Sequence, residues 1–392
     1  MVAREPLKLV FCSPVDWWET RQRFHHIAHG LSESYAVSVF FPRSHKRILK
    51  EKSPFHLFLP YSKEQEREVA LFGIPQIPFY RAHHSFVPIN WKFSNLLTRS
   101  ALGRKAAQTD VLWLTHPSQE GLRRSIPHRL CVYECVDDYS QFWPHEDTRR
   151  AVEEAEARLA SAADLVVATS QALVDRMRAF NARCILVGNG VELEHFRKVR
   201  TEAFALPAEL AQRPGAWVGF FGAIGDWVDL ELVAQAAAAH PDVNFLMIGP
   251  VFTDTSALAN SPNVLLTGLK SYEDLLPYLA HIPVWTLPFV QNRLTEAVDP
   301  VKIYEYLAAG RRVVSTYLPS LAPFSDALNL AASRHEFLAE LKKALEDPGD
   351  FSRPADLDVR LEQRSWGHLS RTILSNLAQS HAAMTQPIQE SK

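Results

Sequence analysis

The sequence predicts an α/β protein made of two doubly wound, Rossmann-like domains, and three observations point to it. Short apolar, β-branched runs alternate with amphipathic helical patterns along the chain, the arrangement that winds a largely parallel sheet. A length of 392 residues is enough for two domains of ordinary size, each burying its own core. Between the two alternating halves, residues 197–215 are polar, carry two prolines and lack a sustained period, as a linker would.

Composition narrows the function classes. Charged residues make up 22% and the formal net charge is −2, so global charge gives no reason to expect a nucleic-acid binder. Cys12, Cys131, Cys135 and Cys184 lie mostly inside apolar, strand-like runs. In an extended strand Cys131 and Cys135 stand about 13 Å apart, so buried thiols are the reading, not zinc ligands. No apolar run reaches membrane-spanning length, and MVAREPLKLVFCSP lacks a signal-peptide h-region. A reducing, cytoplasmic compartment is expected.

The first domain, residues 1–196, opens with the strand Leu7–Cys12, a loop and an amphipathic helix. That first turn has no glycine. A dinucleotide-binding domain needs G-x-G-x-x-G there for the backbone to approach a pyrophosphate, so the absence counts against a dehydrogenase. His25 and His29 are i, i+4 neighbours without a carboxylate at HExxH spacing, which reads as a helix surface. Further strand-like runs follow at Tyr35–Phe41, Phe55–Pro60, Val111–Thr115, Leu130–Cys135, Leu165–Thr169 and Ile185–Val187. Helical patterns run from about Arg149 to Ala162 and from Gln171 to Phe180, and the turn Asn189–Phe196 closes the half.

The second domain, residues 216–364, begins with the strand Trp217–Gly222, a turn bracketed by Gly222 and Gly225 where backbone can approach a phosphate, and the helix Leu230–His240. Strands Phe245–Ile248 and Val264–Thr267 and a helix from about Tyr272 to Ala280 lead to the most informative stretch, Val284–Thr316. It reads strand, loop, helix, strand: Val284–Phe289 and Val313–Thr316 are the strands, with Asp299 as N-cap, Pro300 in the first helical turn and Gly310 at the far end. The helix N-terminus favours an anion, Lys302 adds a point charge, and Glu305 follows one turn on. At about 1.5 Å per residue the two side chains are roughly 4.5 Å apart along one face, suited to a phosphate at one end and vicinal hydroxyls at the other. Taken alone, a Lys and a Glu three apart also describe an ordinary solvated ion pair. In open α/β sheets, however, ligands sit outside the carboxyl ends of the strands, where this loop falls.

Over its whole length this stretch resembles the donor-binding segment of GT-B glycosyltransferases, especially the family 4-like enzymes of bacterial surface polysaccharide and teichuronic acid synthesis. The signature Glu, small apolar turn and Gly is matched by Glu305-Tyr306-Leu307-Ala308-Ala309-Gly310. Asn189–Phe196 resembles the turn by which GT-B chains leave the first domain, and RSWGHLSRTILSNL, within residues 365–392, resembles the last helix that crosses back onto it. The resemblance implies two Rossmann-like domains facing a central cleft and an acceptor-side first domain. It implies that Glu305 holds the ribose of a nucleotide sugar, with Lys302, Tyr306, Gly222 and Gly225 on the donor side. The donor, expected to be a UDP-sugar, is a co-substrate, and no resident cofactor is implied.

The pattern departs from the family in two places. Family 4 adds an Arg and a Lys after the first strand of the second domain, whereas GAIGDWVD has neither, which puts more of the phosphate load on Lys302. The family's first Glu falls on Ala297, with Glu296 one position off register.

For the general base the candidates are Asp137 and Asp138, which close the strand Tyr133-Glu134-Cys135-Val136 where the family commonly shows His-Asp. A carboxylate at the end of a buried strand is partly desolvated and its pKa raised, as a base requires; alternatively, both merely cap the following loop through its amides. A Lys-x-x-(Glu or Gln)-Tyr helix start with an Asp base recurs in xanthan-type glucuronosyltransferases, which invert the anomeric centre, whereas family 4 retains it, so the stereochemistry stays open. Asp356-Leu357-Asp358, the one D-x-D, reads as an exposed loop, and a helix dipole with a Lys can replace a metal.

Between Val69 and Thr109 there is no acidic residue, while Arg81, Lys92, Arg99, Arg104 and Lys105 are interleaved with Phe79, Tyr80, Phe86, Trp91 and Phe93. Such a mixture suits an anionic membrane surface at the inner face of the cytoplasmic membrane, as a lipid-linked acceptor would need; an ordinary basic surface over core aromatics is the alternative. The sequence therefore reads as a glycosyltransferase acting on a saccharide or lipid-linked saccharide acceptor. Its rivals are a nucleotide-sugar 2-epimerase of the same fold, separable by product analysis with and without acceptor, and a non-catalytic GT-B binding protein, against which Lys302 and Glu305 together argue.

Overall fold

In the computed structural model, which describes residues 6–18, 21–43, 64–77, 86–103, 108–348 and 353–385, the apolar runs become the strands of two sheets. The chain divides into two units, the first reaching Gly188 and including the residues from Trp366 onward, the second spanning Asn189–Ser365. The run Phe55–Pro60 lies outside the described residues.

In the first unit the strands are β1 (Leu7–Cys12), β2 (Tyr35–Pro42), β3 (Glu64–Glu66), β4 (Val69–Ile74), β5 (Thr109–Leu114), β6 (His128–Cys135), β7 (Leu165–Ala168) and β8 (Cys184–Leu186). They form a sheet of order β3-β4-β2-β1-β5-β6-β7-β8, parallel except for β3 on β4. Leu9, Phe11, Val39, Val111, Trp113 and Val132 are fully buried, as strands covered on both faces require. The helix Arg23–Leu31 covers one face with Phe24, Ile27 and Leu31. The helix Trp366–Thr385 adds Trp366, Leu369, Ile373 and Leu377, a single stripe at helical spacing, to the same core. The two helices come together at Gly30, where a β-carbon would stand 2.0 Å from Ser370 Oγ. The four cysteines are buried thiols.

In the second unit β9 (Ala216–Phe221), β10 (Val243–Ile248), β11 (Val264–Gly268), β12 (Val284–Leu287), β13 (Arg312–Thr316) and β14 (Asn329–Ala331) follow the order β11-β10-β9-β12-β13-β14, parallel throughout. The helix Val301–Ala308 lies between β12 and β13 and buries Ile303, Tyr304, Tyr306 and Leu307 completely.

Four sequence expectations change. Residues 197–215 are not a linker between the two units: they belong to the second unit, which begins at Asn189, and Val199 and Leu210 are buried in its core. Val199 stands alone between Lys198 and Arg200, and Leu210 falls in a separate four-residue helix, Ala208–Ala211, so no sustained period marks either. His25 is not on a helix surface: it is 5% exposed, its ring lies 4.1 Å from that of Trp17, and its Nε2 is 2.7 Å from the Trp17 carbonyl. The segment Asp356-Leu357-Asp358 is not an exposed loop, because Leu357 is buried at the start of the helix Leu357–Glu362 and Asp358 pairs with Arg353, Arg200 and Arg197. Finally, Pro300 and not Asp299 is the N-cap of the central helix.

Candidate functional site

The second unit gathers Gly222, Lys302 and Glu305 at the carboxyl end of its sheet. Three adjacent strands end in glycine: Gly222 N–H donates to the Ile248 carbonyl at 2.8 Å, and Gly249 N–H to the Gly268 carbonyl at 2.8 Å. Gly222 has φ 141° and Gly249 φ 149°, values that only glycine adopts readily. A β-carbon on Gly249 would stand 1.9 Å from the Gly222 carbonyl oxygen, so the two backbones meet with no side chain between them. Gly249 was missed in the sequence, although a Gly ending an apolar run was visible in MIGP. Gly225 contributes differently from expectation, since the Trp227 ring occupies the space a β-carbon would take.

Lys302 is brought to this edge by the start of its helix. No side chain caps that helix, whose N-cap is Pro300, so its first-turn amides keep their positive end of the dipole. Burial lowers the Lys302 pKa and the Glu305 charge opposes the change. Glu305, 6% exposed, has its carboxyl pushed up to about 7 by burial, against the pull of Lys302 and of the Tyr272 hydroxyl 3.5 Å away, with Glu192 adding to the rise. The His195 ring stacks on Tyr272 at 4.5 Å and 16°. Tyr272, His195 and Glu192 escaped the sequence reading because they are 33 or more residues away from Glu305 along the chain.

Asp299 braces the approach to this helix. Its buried carboxylate accepts from the Tyr304 hydroxyl at 2.5 Å and the Asn189 amide at 2.6 Å, and pairs with Arg364 at 3.1 Å. The Arg364 guanidinium in turn lies over the Tyr304 ring at 4.9 Å. Tyr306 sits in the core: it is fully buried against Phe221 and Trp285, and its hydroxyl accepts the Phe221 N–H at 3.1 Å. It fixes the end of β9 just before Gly222 and is not a surface that a ligand reaches. Glu296 is exposed on the four-residue helix Arg293–Glu296 and makes no hydrogen bond or ion pair with Lys302 or Glu305 among the described residues.

In the first unit Asp137 and Asp138 follow β6 and have different surroundings. Asp138 is 3% exposed, pairs with Arg176 at 2.6 Å and accepts from Ser140 Oγ at 2.7 Å. Arg176 also pairs with Glu156 at 3.0 Å, and Glu156 accepts from the Tyr133 hydroxyl at 2.6 Å. Asp138 is thus committed to a buried network. Asp137 is half-buried, and among the described residues no hydrogen bond or ion pair engages its carboxylate. Burial, and secondarily the charge of Asp138, raise its pKa to about 7. Asp138 precedes the 3-10 turn Tyr139–Phe142 without a side-chain cap hydrogen bond to it.

No family model matches the chain. It is 28% identical, over 97% of its length and the whole of the relative, to a Bacillus subtilis (strain 168) protein provisionally named teichuronic acid biosynthesis glycosyltransferase TuaH. Among solved structures it is similar to sucrose-phosphate synthase of Thermosynechococcus elongatus, with TM-score 0.73, 13% identity and coverage of 97% of this chain and 100% of that one. It is also similar to Anabaena HepE in complex with UDP, with TM-score 0.64, 14% identity and coverage of 95% and 100%. A third, an E. coli trehalose-6-phosphate structure bound with UDP-2-fluoro glucose, has TM-score 0.66 at 15% identity and coverage of 95% and 99%. The structural matches share the fold and the sequence match runs end to end: the chain has the GT-B fold, two parallel Rossmann-like sheets, and is similar over 97% of its length to a protein named as a glycosyltransferase.

Proposed function

We propose that the protein transfers a sugar from a UDP-sugar to a saccharide or lipid-linked saccharide acceptor in surface polysaccharide synthesis. The observation that carries this reading is the placement of Lys302 and Glu305 one turn apart at an uncapped helix start, with Lys302 lying on Gly222 at the sheet edge. As the donor bond breaks, negative charge grows on the leaving diphosphate. Lys302 and the first-turn amides oppose it, and partial burial strengthens their effect. Glu305, beside Lys302, accepts from the vicinal hydroxyls of a ribose. Asp137 takes the proton of the acceptor hydroxyl; a carboxyl with a pKa of about 7 suits that task near neutral pH. The name of the Bacillus relative and the UDP ligands of HepE and the E. coli structure support this reading.

A lipid-linked acceptor is supported by the helix Phe86–Leu102. Its outer face exposes Ile89 and Leu96 with Lys92 and Arg99, an apolar and basic mixture suited to an anionic membrane. Arg81, Arg104 and Lys105 lie outside the described residues. Among the described residues no helix is long and apolar enough to cross a membrane.

Calorimetric titration with uridine and UDP tests the donor assignment. Glu305→Ala should weaken both by roughly tenfold, whereas Lys302→Ala should weaken UDP far more than uridine, since only UDP carries phosphate. Equal UDP affinity in the wild type and both variants would remove the reading.

A further inference from the structure

The first unit contains a cavity open to solvent, about 700 Å³ in all, at the carboxyl ends of β1, β2, β4 and β5. The helix Phe86–Leu102 walls it with Asn90, Trp91, Ser94, Asn95 and Thr98, and Trp143 closes another side. The carboxyl ends of parallel strands are where α/β sheets bind ligands.

The chemistry of the lining selects the ligand. Among the described residues that line the cavity there is no Asp, Glu, Lys or Arg. Its one imidazole is His116, whose Nδ1 accepts the Ser118 N–H at 3.0 Å. Among the described lining residues no lysine or arginine opposes the charge of a phosphate or carboxylate placed here, so its partial desolvation is unfavourable. An alkyl chain would offer nothing to the Asn95 carbonyl oxygen. A polyhydroxylated ring satisfies both kinds of group, its oxygens on the amides and its C–H face on indole. Asn95 donates through Nδ2 to the Ser118 carbonyl at 2.9 Å, while its Oδ1 has no partner among the described residues. The cavity also adjoins the loop that follows β6: the His116 ring meets the ring of Tyr139, two residues after Asp137, edge-on at 4.4 Å.

We propose that this cavity receives an uncharged glycosyl residue of the acceptor, held by Asn95 and Trp91. The proposal rests on the transferase reading and adds to it the charge class of the acceptor unit. Saturation-transfer NMR on the full chain tests it with methyl glucoside, methyl N-acetylglucosaminide and methyl glucuronide, with UDP affinity measured on the same samples. The neutral glycosides should bind roughly tenfold more tightly than the glucuronide, and Asn95→Leu and Trp91→Ala should each weaken them by about tenfold while UDP affinity holds. If UDP binds and no neutral glycoside does, or the glucuronide binds as well as the glucoside, the cavity assignment is overturned and the donor reading stands. If the wild type fails to bind UDP yet the neutral glycosides bind through Asn95, the saccharide site survives and the donor reading falls.

Discussion

Lys302 occupies the space in front of Gly222: a β-carbon on the glycine would stand 1.8 Å from Lys302 Cε and 2.7 Å from its Nζ. The absence of a side chain at the end of β9 therefore decides where the ammonium can rest. With φ at 141°, an alanine there is strained as well as obstructive.

Gly222→Ala should thus act through Lys302. We expect Gly222→Ala and Lys302→Ala each to lower UDP affinity by about 10- to 100-fold, with the double variant little worse than either, because both remove the same charge-assisted contact. Independent, additive losses would separate the two residues.

Glu305 and Asp137 predict a pH dependence of stability. Each has a carboxyl raised to about 7 in the folded chain, from 4.5 and 3.8 respectively. The native state then holds these protons more tightly than the unfolded chain, so stability is greatest below the unfolded values and falls as pH rises toward 7. Glu305→Gln and Asp137→Asn remove a charge that the fold disfavours. Urea midpoints should show each variant more stable than wild type at pH 8, by on the order of 1–3 kcal/mol, and indistinguishable from it near pH 4. A gain of the same size at both pH values would point to some other cause.

How much of this was readable beforehand follows from where the information lies. β1, β6, β9 and β12 are buried on both faces, so each appears as a short apolar run, and the central helix with Lys302 and Glu305 appears beside its flanking strands. Tyr306 shows a limit that helix geometry explains. One residue past Glu305 the side chain turns by about 100°, from the site into the core, where it holds Phe221 N–H. The Phe86–Leu102 helix was hidden because it is amphipathic in an unusual sense: Asn90, Ser94, Asn95 and Thr98 face a polar cavity while Ile89 and Leu96 are exposed. The Asp299–Arg364 pair spans 65 residues, and no local pattern encodes it.

The exposed side of that helix yields a third prediction. Reversing Lys92 and Arg99 to Glu should release the protein from phosphatidylserine-containing vesicles in flotation assays, and raising the salt should do the same for wild type, since each basic residue near an anionic surface contributes roughly 1 kcal/mol. UDP affinity should not move. Binding that ignores both salt and charge reversal would leave an ordinary basic surface.

The last prediction separates Asp137 from Asp138. An acceptor hydroxyl is a poor nucleophile near neutral pH, so an inverting transferase needs a base, and Asp137 has a suitable pKa and a carboxylate that no described residue engages. Asp137→Asn keeps the shape, so turnover should fall by about 10²–10⁴ while UDP affinity and fold are preserved. Asp138 is tied into the Arg176–Glu156 network, and Asp138→Asn leaves the half-buried guanidinium with one carboxylate fewer. Loss of a partner from such a pair costs up to about 3–5 kcal/mol, so this variant should lose stability and lose turnover only in proportion to its unfolded fraction. The two profiles are opposite, and measuring turnover beside urea midpoints distinguishes them. Should turnover survive in Asp137→Asn with the anomeric configuration retained, the leaving phosphate itself takes the proton on the same face, and Asp137 has no part in the chemistry.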